Sequence, residues 1–252
     1  MTLEVCIDSV ESALAAERGG AARVELCSDL LEGGLTPGAG LIATIRRHIS
    51  IALFVMIRCR GGDFCPSELE FEAMREEIAQ ARQLGANGVV LGLLNPDASI
   101  DVVRTRKLVE LAAPLPVTFH RAVDMTPDPI AALEDVIETG ATRILSSGGR
   151  PQAVQGASTL ARMVTLAGPR ISVMVGGSVT SENIAALVYA TGAHEFHSSA
   201  RQQQTTPMLF HKRGMALGEL KECEYRRSLV SEKQVRAMVA GLAACKPSAA
   251  GV

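Results

Sequence analysis

Two short segments of the sequence share one chemical pattern, a glutamate followed two residues later by a cysteine. The pairs are Glu4 with Cys6 and Glu25 with Cys27. Because side chains alternate along a β-strand, each pair lies on one face of its segment and apolar residues lie on the other. Thiols are soft metal ligands and, as thiolates, nucleophiles. If the two segments are neighbouring strands, we expect Cys6 and Cys27 to be side by side.

Further ionisable side chains lie at the ends of other apolar runs, and they are Arg58, His120, Arg121, Asp124 and His197. Imidazoles and carboxylates are the usual general acids and bases. A buried carboxylate without a partner is costly, so two interior glutamates require an interior cation. We expect Arg58 to supply it by pairing with Glu4 or Glu25. The candidate catalytic residues are therefore Glu4, Glu25, Arg58, His120, Arg121, Asp124 and His197. The alternative is that Glu4, Glu25 and Arg58 form a buried ion-pair layer.

A glycine pair at Gly176 and Gly177 follows the seventh apolar run and precedes a helical segment. Backbone amides at such a turn bind anions, and barrel enzymes often bind phosphate after strands seven and eight. We expect the pair to form an anion site with Arg58 and Ser198. The alternative is that the glycines only bend the loop.

These residues need a fold that brings the ends of distant strands together, and the rest of the sequence predicts one. Eight apolar runs predict strands over 3–7, 23–27, 51–57, 88–93, 117–120, 143–146, 171–175 and 195–198. Segments of helical period fill the gaps, over 9–18, 41–48, 67–84, 101–112, 129–139, 157–166, 180–190 and 232–244.

Eight such units in 252 residues predict a TIM (β/α)₈ barrel, a closed barrel of eight parallel strands, as a single domain over residues 1–252. An open doubly wound sheet is disfavoured because no Gly-x-Gly-x-x-Gly follows the first strand. Helices cover the apolar faces of the strands, so the charged faces must point inward. We expect an irregular excursion over 201–229 and a frayed tail over 246–252.

The composition argues against several partners and locations. The 25 basic and 27 acidic residues nearly balance, so neither nucleic acid nor an anionic membrane is expected to bind. The longest apolar stretch, 49–57, is about half the ~20 residues of a spanning helix. Acidic residues stand where a signal peptide has basic ones, which predicts a cytoplasmic protein. The six cysteines show no zinc-finger spacing, so we expect reduced thiols.

Five strings in this sequence closely resemble those of the CutC family, and the matching segments run from about Leu3 to Arg201. The strings are EVCIDSVESALAAERGGAARVELCS, EGGLTP, VMIRCRGGDF, PVTFHRAVDM and EFHSSAR. The resemblance implies a TIM barrel, a cytoplasmic role in copper homeostasis and a homo-oligomer, a dimer or tetramer. It also implies Cu(I) as the bound metal, with Cys6 and Cys27 as ligands, since soft thiolates favour Cu(I). The sequence departs from the family at Cys59, where relatives have proline, and this thiol could add a ligand.

Three functions remain as alternatives at this point. The first is cytoplasmic Cu(I) binding through Cys6 and Cys27. The second is an enzyme that acts on a small anionic or phosphorylated metabolite, because Glu, Arg and His around the thiols resemble catalytic machinery. The third is an oligomeric scaffold whose pocket no longer has a function. The sequence leaves open whether the protein is an enzyme.

Overall fold

The computed structural model describes residues 1–212, 214–215 and 224–245. Eight parallel strands follow one another around a closed barrel, and the eighth pairs with the first. The strands are β1 (Thr2–Ile7), β2 (Arg23–Leu26), β3 (Ala52–Met56), β4 (Gly88–Leu91), β5 (Val117–Phe119), β6 (Arg143–Ser146), β7 (Ser172–Val175) and β8 (Glu195–Ser198). The prediction of a TIM barrel is confirmed.

Helices cover the outside of the barrel. They are α1 (Val10–Arg18), α2 (Ala39–His48), α3 (Glu68–Gln83), α4 (Val102–Ala112), α5 (Pro129–Glu138), α6 (Ala157–Ala167), α7 (Ile184–Thr191) and α8 (Glu232–Ala244). A capping box begins α3, where Ser67 and Glu70 exchange hydrogen bonds with each other's backbone amides. The seventh helix begins four residues later than predicted, because the Asn183 side chain holds the Thr180 amide in a turn. Among the described helices, none has the length and apolar character needed to cross a membrane.

The two faces of the strands enter two separate hydrophobic clusters. Outward residues such as Val5, Leu26 and Val55 join the large core between strands and helices. A small second cluster inside the barrel contains Cys6, Cys27, Phe54, Met56 and Val90. The interior is therefore a separate environment in which charged and sulfur-bearing side chains meet.

The register of the first two strands differs from the sequence prediction. Glu4 lies opposite Arg23, and Cys6 lies opposite Glu25. Cys27 follows the end of β2 and is diagonal to Cys6, so the expected register is wrong, whereas the expected proximity of the two cysteines is confirmed by the 3.9 Å between their sulfurs. Strands of a closed barrel are staggered along the axis, and this stagger cannot be inferred from matching sequence patterns.

The segment 201–229 is not irregular throughout. The strand β9 (Arg201–Thr205) lies at the start of this segment, and β10 (Arg226–Val230) lies at its end and extends one residue beyond it. The two strands form an antiparallel ribbon. Arg201 anchors the ribbon to the barrel through Asp8, with 2.6 Å between Nη2 and Oδ1. The predicted frayed tail, 246–252, lies outside the described residues.

Candidate functional site

A charged layer closes the inside of the barrel at the level of the strand beginnings. Arg23 binds Glu4 through Nε, and its Nη2 lies 2.6 Å from Glu195 Oε2. Arg143 reaches the same Glu195 oxygen at 2.6 Å. The ring of Phe54 lies against both cations, 4.9 Å from the Arg23 guanidinium carbon and 5.4 Å from that of Arg143. We call these five residues the charged floor.

The expected pairing of Arg58 with an interior glutamate is wrong. Arg58 lies two residues past the end of β3, and its guanidinium donates instead to the carbonyls of Glu32, Gly34 and Gly62. It also stacks on Phe64, with 4.6 Å from the guanidinium carbon to the ring centroid. The interior cation that pairs with Glu4 is Arg23, so an ion-pair layer exists without Arg58.

His197 of β8 stands directly above the charged floor. Its Nδ1 lies 2.8 Å from Glu4 Oε1 and its Nε2 lies 3.7 Å from Glu25 Oε2. Burial alone would lower the pKa of His197, but the charge of Glu25 and the bonds to Cys6 and Glu4 raise it well above the ordinary value. Burial opposes ionisation of Glu4 as well, yet the hydrogen bond from His197 and the charge of Arg23 lower its pKa to about 2. The pair is an imidazolium and a carboxylate.

The two cysteines meet beside this pair. Their sulfurs lie 3.9 Å apart, and Cys27 Sγ lies 3.6 Å from Glu25 Oε2. The hydrogen bond from Cys27 lowers the pKa of Cys6 to about 5, assisted by His197. The same bond raises the pKa of Cys27 well above its ordinary value. Burial raises the pKa of Glu25 as well, so Cys6 is the favoured thiolate of the cysteine pair, beside His197.

These groups line the bottom of a cavity of about 710 Å³ at the carboxyl ends of the strands. Nine of the residues predicted for a site line it: Cys6, Glu25, Arg58, His120, Arg121, Asp124, Gly177, His197 and Ser198. Glu4 supports His197 from below, and Cys27 is fully buried behind Cys6. Cys59 belongs to neither of the metal-ligand clusters found among the described residues.

His120 is a neutral imidazole at the cavity wall. Its Nδ1 accepts a hydrogen bond from the Ala122 amide at 3.3 Å, so the proton is on Nε2. Burial and the nearby charge of Arg58 lower its pKa to about 3. Nε2 is buried and has no hydrogen-bond partner.

Other predicted residues at the rim brace loops. Asp124 accepts hydrogen bonds from Arg121 Nε, from Ser146 Oγ and from the amides of Ser147 and Gly149. Both of its oxygens are therefore engaged.

Two of the residues predicted to bind an anion are also engaged. The Gly176 amide donates to the Ser146 carbonyl at 2.9 Å, and the Ser198 hydroxyl donates to the Val179 carbonyl at 2.6 Å. The expectation that Gly176 and the Ser198 hydroxyl bind an anion is wrong, whereas Gly177 remains open to the cavity.

Comparison with known proteins identifies the family of this barrel. The family model described as the CutC family matches residues 1–202. This chain belongs to the CutC family. A CutC family protein from Chromobacterium violaceum is 50% identical over 236 residues, which are 94% of this chain and 96% of that protein. The mouse protein named copper homeostasis protein cutC homolog is 45% identical, over 94% of this chain and 87% of its own.

A solved CutC structure has the same architecture. The crystal structure of CutC from Streptococcus agalactiae aligns with a TM-score of 0.75 and 32% identity, and the alignment covers 79% of this chain and 98% of that one. The family membership and the barrel are thus established from both the sequence and the structure.

Arg143 and Phe54 complete the charged floor of this CutC chain, and sequence reasoning did not select them. Arg143 begins β6 and has the same inward parity as Leu145, which lines the cavity. A basic residue at an inward position was therefore a usable signal. Phe54 gave none, because an aromatic ring in a strand is equally typical of the outer core.

Proposed function

We propose that this CutC protein binds Cu(I) through Cys6 and Cys27 and takes part in copper homeostasis in the cytoplasm. The observation that carries the proposal is the 3.9 Å separation of the two sulfurs at the bottom of the cavity. Soft thiolate ligands favour Cu(I) over harder cations. The name of the mouse relative, a copper homeostasis protein, agrees with this chemistry.

The donor set fits a soft metal ion. The ligand atoms of Cys6, Cys27 and Glu25 all lie within 4.8 Å of one another. One ion could reach both sulfurs, which lie 3.9 Å apart, because metal–thiolate bonds are about 2.3 Å long. Glu25 Oε1 is buried and has no hydrogen-bond partner, which makes this carboxyl group a candidate third donor.

Proton release provides an internal check on this ligand set. Burial raises the pKa of Glu25 and the bond to Cys6 raises that of Cys27, so both groups keep their protons to a higher pH than they would in water. A metal ion must displace protons from its ligands. We therefore expect Cu(I) binding to release protons and to tighten as the pH rises.

Anaerobic titration with Cu(I) against a competing chelator tests the proposal. We expect one tightly bound ion per chain, and we expect Cys6→Ser and Cys27→Ser each to abolish it. Cys65→Ser is the matched control, because Cys65 lies in another loop and a serine hydroxyl keeps its bond to the Asn95 carbonyl. Unchanged affinity in the Cys6→Ser, Cys27→Ser double variant would refute the proposal. Localisation by cell fractionation tests the cytoplasmic placement.

We also propose that the chain forms a homo-oligomer, a dimer or tetramer. Three consecutive apolar residues after β9 are exposed, namely Met208, Leu209 and Phe210. Contiguous exposed apolar surface is typical of protein interfaces. Light scattering measures the mass, and we expect Leu209→Glu with Phe210→Glu to lower it. A monomeric wild-type protein contradicts the proposal.

A further inference from the structure

We propose that the mouth of the barrel binds a small phosphate monoester, with the phosphoryl group held by free backbone amides after β7 and β8. The amides that would hold the phosphoryl group are not copper ligands, and Glu25 alone is shared between the two proposals, so binding is tested on the metal-free protein. The ligand class follows from three independent observations: unpartnered amides, buried polar atoms without partners, and a cation that no carboxylate neutralises.

The amides belong to two adjacent loops at the carboxyl ends of the strands. Within the described residues, the backbone N–H groups of Gly177, Ser178, Val179 and Ser199 have no hydrogen-bond partner, and all four residues line the cavity. Gly177 has φ +105° and Ser178 has φ +56°, so the chain turns sharply here. A Cβ on Gly177 would approach the Ser147 Cβ to 2.9 Å. Clusters of free amides are typical anion sites.

Two buried side-chain atoms lack partners in the same cavity. His120 is 5% exposed and Glu25 is 3% exposed, and neither His120 Nε2 nor Glu25 Oε1 has a hydrogen-bond partner. A buried polar group without a partner costs about 1–3 kcal/mol. A ligand with hydroxyl groups would satisfy both atoms, because a hydroxyl accepts from Nε2–H and donates to the carboxyl oxygen.

Arg58 contributes a cation without an ion-pair partner to the wall of the cavity. Among the described residues, no carboxylate lies within ion-pair distance of its guanidinium, which donates only to carbonyls, although Glu32 lines the same cavity. The two other arginines of the wall differ, since Arg121 pairs with Asp124 at 2.8 Å and Arg201 with Asp8 at 2.6 Å. A guanidinium in the same cavity as free amides favours an anion.

The three observations together define the ligand class. The free amides suit the phosphoryl oxygens, and Arg58 suits their charge. His120 and Glu25 suit a polar carbon skeleton deeper in the cavity. A volume of about 710 Å³ lies within the usual range for small-molecule sites.

Binding of inorganic phosphate, glycerol 3-phosphate and glycerol to the metal-free full-length protein tests the proposal. Calorimetry or phosphorus NMR measures the affinities. The principal variant is Ser178→Asp, since Ser178 is exposed and aspartate tolerates a left-handed φ. Ser178→Asn is the control without added charge, and Thr165→Asp adds the same charge at an exposed position near the other end of α6. Thermal melts confirm that each variant is folded.

We expect the wild type to bind both phosphates, and glycerol 3-phosphate more tightly than phosphate. We expect Ser178→Asp to weaken the binding of both phosphates by about tenfold or more through charge repulsion, while Ser178→Asn and Thr165→Asp stay within about threefold of wild type. His120→Phe should remove the advantage of glycerol 3-phosphate over phosphate.

Several results overturn the proposal. The first is that the wild type does not bind phosphate at concentrations up to about 10 mM. The second is that it binds glycerol and glycerol 3-phosphate with equal affinity. The third is that Ser178→Asp weakens phosphate binding no more than either control variant does. Because Cys6 and Cys27 are unchanged in all these variants, Cu(I) titration of the same samples separates failure here from failure of the copper site.

Discussion

Glu195 is the carboxylate that joins the two cations of the charged floor, so its removal should destabilise the barrel. One of its oxygens lies 2.6 Å from both Arg23 Nη2 and Arg143 Nε, and the other accepts from Ser172 Oγ at 2.7 Å. Burial opposes ionisation of Glu195, but the bonds from Arg143 and Ser172 still lower its pKa. At neutral pH the side chain is therefore a carboxylate.

The magnitude for Glu195→Gln follows from these contacts. A hydrogen bond to a charged group contributes about 1.5–3 kcal/mol, and breaking a buried ion pair costs about 3–5 kcal/mol. Glutamine keeps one acceptor oxygen but removes the charge that two guanidiniums share. We expect the free energy of unfolding to fall by about 3–4 kcal/mol. At roughly 2–4 °C per kcal/mol for a chain of this size, Tm falls by about 10 °C.

Urea denaturation and thermal melts at pH 7, followed by circular dichroism, measure the change. Glu134→Gln is the matched control, because Glu134 binds Arg170 with two 2.7 Å hydrogen bonds at the surface. We expect no resolvable loss there, since exposed ion pairs contribute little. Glu195→Gln combined with Arg143→Met should lose less than the sum of the two single variants. Equal stability of Glu195→Gln and Glu134→Gln would show that the charged floor does not stabilise the barrel.

Three further predictions concern the cavity and its floor. In the metal-free protein, the thiolate absorbance of Cys6 should appear with a midpoint near pH 5. The variant His197→Gln should raise that midpoint by about one unit or more. An unchanged midpoint would contradict the interaction between His197 and Cys6. The pKa of His120 is lowered to about 3 in the folded protein, below its value in the unfolded chain. As the pH falls from about 6.5 towards 3, the unfolded chain therefore binds more protons than the folded protein. The free energy of unfolding should decrease by up to about 1.4 kcal/mol per pH unit over this range. Urea titrations over this range should show a shallower dependence for His120→Phe, and identical slopes would contradict the assignment. Gly88→Ala should lower Tm because a Cβ would collide with the ring of Phe54, and a melt equal to that of wild type would show that the ring moves freely.

The fold and much of the site could be predicted because both depend on local patterns. The alternation of Glu4, Cys6 and Glu25 with apolar residues places them inside the barrel, where the structure has them. The spacing of strand and helix patterns predicts the closed barrel. Local patterns therefore show which side of a strand faces the interior.

Relations between strands could not be predicted in the same way. The stagger of the barrel places Arg23 rather than Arg58 beside Glu4, and it makes Cys27 diagonal to Cys6. The ribbon of β9 and β10 was missed because Gln202, Gln203 and Gln204 carry no apolar alternation. Backbone hydrogen bonds pair β9 with β10, and such pairing has no signature in the sequence.

The charged floor lies between the cavity and the other end of the barrel. Glu4 and Phe54 are almost fully buried beneath Cys6, while the cavity that Cys6 lines also has Gly177 and Ser199 in its wall. A ligand that approaches the Cys6 sulfur through this cavity therefore shares it with the proposed phosphate site. If both proposals hold, a bound phosphate ester would slow the exchange of a metal ion at the cysteines.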